Sequence, residues 1–266
     1  MVYFVSTPIG NLKDISLRAL EVLKGADIIF CEDTRHSLKL LNAYDIKKPL
    51  HSCHKFNERE AAEKIIAAAK DGKDVAVISD AGMPVISDPG NVVCKALKEA
   101  GVSYTVIPGA NAALSALILS AFPADKFAFI GFLPDTAGEQ KRLLEKYKNL
   151  DLTLIFHVAP QDVDRHICAV LEVFGDRNAC AVREITKMHE EAVTFKLSEG
   201  LKGEKRGEYV LIVEGASAEN PLNELSVKEH LLHYMSGGTD KKEAIKQVAK
   251  DRGVPKSDIY KIALEL

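Results

Sequence analysis

Thr7-Pro8-Ile9-Gly10-Asn11-Leu12 follows directly on the apolar run Val2-Tyr3-Phe4-Val5, and that junction decides the fold. A short apolar run closed by a proline and a glycine reads as a buried strand that stops at a tight turn. Two further clusters hold the same position relative to a strand-like run. Ser79-Asp80-Ala81-Gly82-Met83-Pro84, continuing through Val85 and Ile86 to Ser87-Asp88-Pro89-Gly90, ends the run at 74–79, and Pro108-Gly109-Ala110-Asn111-Ala112 ends the run at 104–107. Each alone is equally a plain turn, but their shared place at strand ends is where α/β folds assemble a ligand crevice. Glycine lets the backbone approach a ligand and proline fixes the loop, so main-chain N–H and C=O groups can face a nucleoside.

Outward from these loops, short apolar runs alternate with helical periodicity. The runs at 2–5, 26–31, 38–41, 74–79 and 104–107 are separated by helical patterns near 17–23, 61–69, 92–100 and 112–119. That alternation predicts parallel β/α units. A proline break at 120–125 separates them from a second series, with strands at 127–132, 153–156, 178–183 and 209–213 and a helix at 161–173. Residues 216–221 are small, polar and proline-ended, as in a linker. Beyond them Thr239-Asp240 stands as an N-cap before Ala244, Ile245, Val248 and Ala249, and Gly253 turns the chain into a second helix. The expected division is an α/β domain at 1–118, a second α/β domain at 119–216 and a helical appendix at 221–266.

The chain has 266 residues, of which 47% are hydrophobic, so a sizeable buried core is assured. Its five cysteines are odd in number, form no C-x-x-C pair and mostly sit in apolar runs, the usage of reduced thiols in the cytoplasm. Met1 leads straight into the first strand with no basic segment, and no apolar run is long enough to span a bilayer, so neither export nor a membrane is expected. A net charge of −3 rules out an overall basic coat but leaves room for local phosphate-binding surfaces.

No G-x-G-x-x-G or G-x-x-x-x-G-K-[ST] occurs, which removes the usual support for a dinucleotide or nucleoside triphosphate site. A nucleoside-like cofactor without a polyphosphate is one remaining class. Cys31-Glu32-Asp33-Thr34-Arg35 closes the second run. It reads either as a capped helix start with an Asp–Arg ion pair or as a site in which Arg35 grips phosphate and a carboxylate orients a hydroxyl. His51-Ser52-Cys53-His54 has no usual metal-site spacing, and no metal is expected. Arg183 to Glu191 is a dense charged run at a strand end, either a solvated face or a place where Arg183 and Lys187 meet a cleft. Residues 241–256 carry Lys241, Lys242, Lys246, Lys250, Arg252 and Lys256 against Glu243 and Asp251, a patch suited to RNA phosphates or simply to solvent.

Together these segments resemble the tetrapyrrole-methylase superfamily, and closely its branch of ribosomal RNA small-subunit methyltransferases. The matching pieces are Thr7 to Leu12 with Asp14-Ile15 and Arg18-Ala19, Cys31 to Arg35, His54 with Asn57-Glu58, Ser79 to Gly90, Gly131-Phe132-Leu133-Pro134, Arg183-Glu184 with Thr186-Lys187, and Lys202-Gly203 or Arg206-Gly207 before Glu208. The resemblance implies two α/β domains with S-adenosylmethionine between them, a homodimer, and transfer of a methyl group to the ribose 2'-hydroxyl of a cytidine in the decoding region of 16S rRNA. It places the cofactor against Pro8, Ile9, Gly10, Asp80, Ala81, Gly82, Met83, Val85, Ile86, Asn111, Ala112, Phe156 and His157. It makes Glu32, Asp33, Arg35 and Lys187 the candidate catalytic residues, and Arg18, Arg183, Lys241 and Lys242 candidate contacts to the RNA of the small subunit.

The chain also departs from the branch pattern. Phe156-His157-Val158-Ala159-Pro160-Gln161-Asp162 lacks the acidic and basic side chains usual there, and Pro108-Gly109-Ala110-Asn111 replaces a commoner proline-glycine-proline-serine. Because a fold does not fix a substrate, methylation of a small molecule such as a tetrapyrrole precursor stands as an alternative, as does a non-catalytic RNA-binding assembly factor.

Overall fold

The computed structural model describes residues 1–216, 221–264 and 266. Most of the linker expected at 216–221 lies outside the described residues. Residues 1–147 with 152–214 form one compact unit, and 148–151 with 215–266 form another.

The first unit contains two five-stranded sheets. The strands of the first are β1 (Val2–Val5), β2 (Ile28–Cys31), β3 (Leu50–Ser52), β4 (Val75–Ile78) and β5 (Tyr104–Ile107), all parallel in the order β3-β2-β4-β1-β5. Alternation along the central strands supplies both faces of the sheet. Val2, Phe4, Val75 and Val77 pack on one side with α3 (Glu58–Lys70) and α4 (Asn91–Glu99), while Val5, Ala76 and Ile78 pack on the other with α1 (Leu17–Gly25) and α2 (Thr34–Ala43). Burial on both faces is why these strands read as continuous apolar runs.

The second sheet has the order β6-β7-β10-β8-β9, from β6 (Phe127–Phe132), β7 (Thr153–Val158), β8 (Asn178–Arg183), β9 (Glu191–Lys196) and β10 (Tyr209–Val213). Only β6 and β7 pair in parallel; the other three ladders are antiparallel. One face is covered by α6 (Ala137–Leu144) and α7 (Val163–Phe174) around Phe156, Leu211 and Val213. The opposite face is covered by α5 (Ala112–Ser120), whose Ala113, Ala116 and Leu117 pack on Ile155, Cys180, Val182, Val210 and Ile212. A helix that follows a strand of the first sheet thus covers a face of the second. This explains the apolar inner face of the helix, while Leu114, Ile118 and Leu119 on its outer face are exposed.

Among the described residues the second unit packs three α-helices, α8 (Val227–Ser236), α9 (Lys241–Arg252) and α10 (Lys256–Ala263), about Leu231, Ala244, Val248, Ile259 and Ala263. Asp240 caps α9 by accepting from the backbone of Lys242 and Glu243, and Gly253 ends it at φ +62°. Ser226 and Glu229 form a capping box at α8, a helix beyond the two that the periodicity indicates.

Three other stretches differ from the sequence reading. The apolar run at 38–41 lies inside α2, where Ser37, Leu40 and Leu41 form the buried stripe of an amphipathic helix capped by Asp33. The sheet position this run was expected to fill belongs to the three-residue β3. β9 falls in the polar segment after Glu190, because an edge strand with an open face keeps its charges. Among the described residues no helix is long and apolar enough to cross a membrane. Cys31, Cys53 and Cys180 are buried, Cys168 is exposed and all five thiols are unpaired.

Candidate functional site

The three loops that opened the sequence reading are joined at the carboxyl end of the first sheet. Thr7 and Gly82 exchange backbone hydrogen bonds, Thr7 N to Gly82 O at 2.8 Å and the reverse at 3.1 Å. Gly109 lies so close to Ser6 that an added Cβ would stand 2.9 Å from the serine Cβ. Glu58, at the start of α3, accepts from the N–H groups of Gly90 and Val92 at 2.7 and 2.8 Å. It serves as a side-chain cap for α4, whose own N-cap is a glycine. Inside the loop Val85 (φ +77°) and Ser87 (φ +64°) hold left-handed backbone. For the β-branched valine that conformation costs energy and is maintained by its surroundings, a feature that gathers at ligand-binding segments.

The same loops meet the second sheet within the first unit. Asn11 N donates to Thr186 Oγ1 at 3.1 Å, and the Lys187 side chain lies across Gly10. Lys187 Nζ in turn donates to Glu184 at 3.0 Å and Glu208 at 3.1 Å. Burial works to lower the pKa of this ammonium, but the two carboxylates outweigh it and hold the pKa above the usual lysine range. On the second sheet the register of β6 shifts between Phe129 and Gly131, and at Gly131 (φ +75°) an added Cβ would be 3.3 Å from Ser87 Oγ.

Between these parts lies a cavity of about 350 Å³. Of the expected cofactor residues, Ile9, Ala81, Gly82, Met83, Ile86, Asn111, Ala112 and His157 line it. Five others do not. Pro8 and Gly10 flank Ile9 in the chain, with Gly10 under Lys187. Asp80 accepts from Asp33 N at 3.1 Å and so ties the loops after β2 and β4. Val85 packs on Gly90. Phe156 is 1% exposed in the core beneath α7, because alternation along β7 gives Phe156 and His157 to opposite faces. His157 stands edge-on to Phe129 and Phe132, at centroid distances of 5.0 and 5.3 Å, and its Nε2 is buried without a hydrogen-bond partner. Burial pushes its pKa down, against the pull of Glu208.

Sequence reasoning did not single out Ser87, Asp88, Phe132, Ile185, Glu208 and Tyr209 as contacts, and all six line the cavity. Asp88 was legible only as part of the glycine-proline loop. Burial, reinforced by the charge of Asp80 and opposed by a hydrogen bond from Ser79, pushes its carboxyl up to about 6.

Glu32, Asp33 and Arg35 do not line the cavity. Glu32 has its pKa raised by burial and by the charges of Asp88 and Asp80, against the opposing effect of His54. Asp33 takes the helix-start reading: it caps α2, and both of its oxygens accept from the Arg35 side chain, at 3.2 and 2.9 Å. The arginine hydrogen bonds pull its pKa down to about 2. Arg183 faces a separate small cavity, where Nε stands 2.7 Å from Glu191 Oε2. Arg18 is exposed on α1, and Lys241 and Lys242 are exposed on the first turn of α9. The basic run from 241 to 256 is thinner in space than in sequence: Lys246 pairs with Glu243, and Arg252 turns inward to donate to His230 Nδ1 at 3.2 Å. His51 stacks on Phe30 and His54 meets Phe56 edge-on; among the described residues no group of three or more His, Cys, Asp or Glu is placed to hold a metal ion.

The cavity has what a nucleoside cofactor needs. Ile9, Met83, Ile86, Ala112 and Ile185 give apolar walls, Gly82 exposes backbone without a side chain, and Asp88, Asn111 and an unpartnered His157 nitrogen supply a few polar points.

Residues 1–200 match the family described as Tetrapyrrole (Corrin/Porphyrin) Methylases. The chain is 43% identical over 270 residues to the Ribosomal RNA small subunit methyltransferase I of Bacillus subtilis, covering 98% of this chain and 92% of that one. It is 44% identical over 271 residues to the protein of the same name from Halalkalibacterium halodurans, covering 98% and 93%. Among solved structures it resembles the methyltransferase CobJ, with a TM-score of 0.63 at 17% identity, covering 81% of this chain and 94% of that one. It also resembles the uroporphyrin-III C-methyl transferase of Thermus thermophilus complexed with S-adenyl homocysteine, with a TM-score of 0.58 at 22% identity, covering 80% and 96%. A family match over residues 1–200 and likeness over nearly the full length make this chain a member of the tetrapyrrole methylase family and, within it, of the ribosomal RNA small subunit methyltransferase I group.

Proposed function

We propose that the chain transfers the methyl group of S-adenosylmethionine to the ribose 2'-hydroxyl of a cytidine in the decoding region of 16S rRNA, acting in the cytoplasm on the small subunit. The observation that carries this reading is the 350 Å³ cavity, walled by loops of the first sheet and strands of the second, in a chain with full-length relatives named for that RNA. When bound, the cofactor supplies a methyl group on a sulfonium, a leaving group that needs no activation.

The chain's own residues then have two tasks. Ile9, Gly82, Met83, Ile86, Asn111, Ala112 and His157 hold the cofactor and keep water out. Asp88 takes the proton from the attacking hydroxyl. A half-buried carboxyl with a pKa of about 6 is ionised near neutral pH yet basic enough to accept it. Asp33, held near 2 by Arg35, is a much weaker base and instead presents the arginine guanidinium, 88% exposed, for phosphate. Glu32 is itself raised, by burial and by the charges of Asp88 and Asp80, and Lys187 locks the loop at Gly10.

A second copy of the chain is the expected partner on the outer side of α5, where Leu114, Ile118 and Leu119 are exposed, and Tyr104 and Val106 on the edge strand β5 are exposed as well. The test of the reaction is incubation of the protein with labelled S-adenosylmethionine and small subunits lacking the modification. Label at one ribose of 16S rRNA supports the reading. Label only in tetrapyrrole precursors, or none despite RNA binding, overturns it.

A further inference from the structure

Tyr209 is a wall shared by two cavities. One is the main cavity; the other, of about 230 Å³, lies among Arg183, Glu191, Val193, Lys202 and Glu204. Its location follows from strand register. Val158 on β7, Tyr209 on β10, Arg183 on β8 and Glu191 on β9 pair in one row across the antiparallel ladders, so their side chains share a face. Val158 and Tyr209 also line the main cavity, while Tyr209, Arg183 and Glu191 line the small one.

The polar groups of the small cavity are of both signs. Arg183 Nε is 2.7 Å from Glu191 Oε2, yet the N–H is off line, so this buried donor has an ion-pair neighbour and no hydrogen-bond acceptor. Lys202 and Glu204 are turned to local partners, Glu199 O at 2.8 Å and Arg206 at 2.8 Å. A free anion would have to compete with the Glu191 carboxylate for the guanidinium. A planar neutral ring that carries both donors and acceptors uses the pair as it stands, since a carboxylate accepts from a ring N–H or amino group while a guanidinium donates to ring nitrogen or carbonyl oxygen. Tyr209 and Val193 supply the apolar flanks that such a ring needs once unstacked.

Resting on the RNA reading above, we propose that this second cavity receives an unstacked base of the RNA substrate, read at its edge by Arg183 and Glu191, while the ribose is presented on the other side of Tyr209. A base and its own sugar then straddle one side chain, which fixes the direction from which the hydroxyl enters.

The test compares the wild type with Glu191→Gln and Val193→Phe, each checked for S-adenosylmethionine affinity by calorimetry and for methyl transfer to small subunits. Glu191→Gln is expected to keep its cofactor affinity and to raise the KM for subunits roughly tenfold, the loss of one base-edge pairing. Val193→Phe, which fills the space from an edge strand, is expected to raise it at least as much. Subunits containing 4-thiouridine near the target, photo-crosslinked to the wild type, should give an adduct on the peptide carrying Tyr209 or Lys202. If the cavity instead grips a phosphate, Glu191→Gln frees the guanidinium and the KM falls, which overturns the proposal. Unchanged KM in both variants with adducts elsewhere overturns it as well. Absence of label in any RNA with the wild type defeats the RNA reading itself, a distinguishable result.

Discussion

Lys187 lies flat across Gly10, so that a Cβ at position 10 would stand 2.6 Å from the lysine Cγ and 3.1 Å from Ile185 O. The lysine is not free to give way, because its ammonium is held by Glu184 and Glu208. Gly10→Ala therefore pushes the first loop, and Ile9 with it, off the cavity. The expected loss in S-adenosylmethionine affinity is about tenfold, equal to about 1.4 kcal/mol. Adding Lys187→Ala should restore part of it, the Ile185 carbonyl remaining in place. Calorimetric titration of both variants decides the matter, and wild-type affinity in Gly10→Ala would remove the contact from any role in shaping the site.

With Asp88 as the proposed base, the reaction is expected to have an acid limb. A carboxyl pushed up to about 6 is protonated, and unable to accept the hydroxyl proton, as pH falls below that value. The turnover of the wild type should therefore fall about tenfold per pH unit below about 6 and flatten above it. Asp88→Asn should retain cofactor binding and lose about 10²- to 10⁴-fold in turnover with no acid limb left. A variant that keeps the limb would move the base elsewhere, and Glu32, whose pKa is also raised, is the nearest candidate.

The legible and illegible parts of this site separate on physical grounds. Loops that need glycine at a close approach, such as Gly82 and Gly109, announce themselves in sequence because no other residue fits. Strands buried on two faces, such as β4 and β8, announce themselves as unbroken apolar runs. The edge strand β9 does not, since one of its faces is open and its charges resemble those of a loop. The cavity contacts of Asp88, Glu208 and Tyr209 depend on how positions about 120 residues apart in sequence, one on a loop of the first sheet and the others on the second sheet, are brought together, and no local pattern carries that information. Asp33 shows the converse: the cap-and-ion-pair reading of Asp33-Thr34-Arg35 is what the side chains do, and the pKa near 2 that results argues against the base role its family position suggests.

Lys241 and Lys242 occupy the first turn of α9, next to the positive end of the helix dipole. Cations there cost about 0.3–1 kcal/mol, so a helix selected for stability alone would avoid them. Replacing both by alanine should leave the melting temperature unchanged or slightly higher. The same change should weaken binding to small-subunit RNA and lower the slope of log affinity against log salt by about 1 for each lysine that neutralises a phosphate. An unaltered slope would assign the two charges to solvent.

Ile118 is 78% exposed at the centre of the outward face of α5, between Leu114 and Leu119. The helix has apolar residues on its inner face for the second sheet and more on its outer face, which a monomer leaves in water, and β5 is an edge strand of the first sheet. Edge strands and apolar helix faces left open in this way invite association. Ile118→Glu introduces a charge that an apolar contact between two copies would have to desolvate, which costs several kcal/mol when unpaired. Because the side chain is exposed within one protomer, the fold and the cofactor affinity should survive. Sedimentation equilibrium is expected to give twice the chain mass for the wild type and a single chain mass for the variant. A wild type already at one chain mass would leave this face without a second copy to cover it, and the homodimer would have to be abandoned.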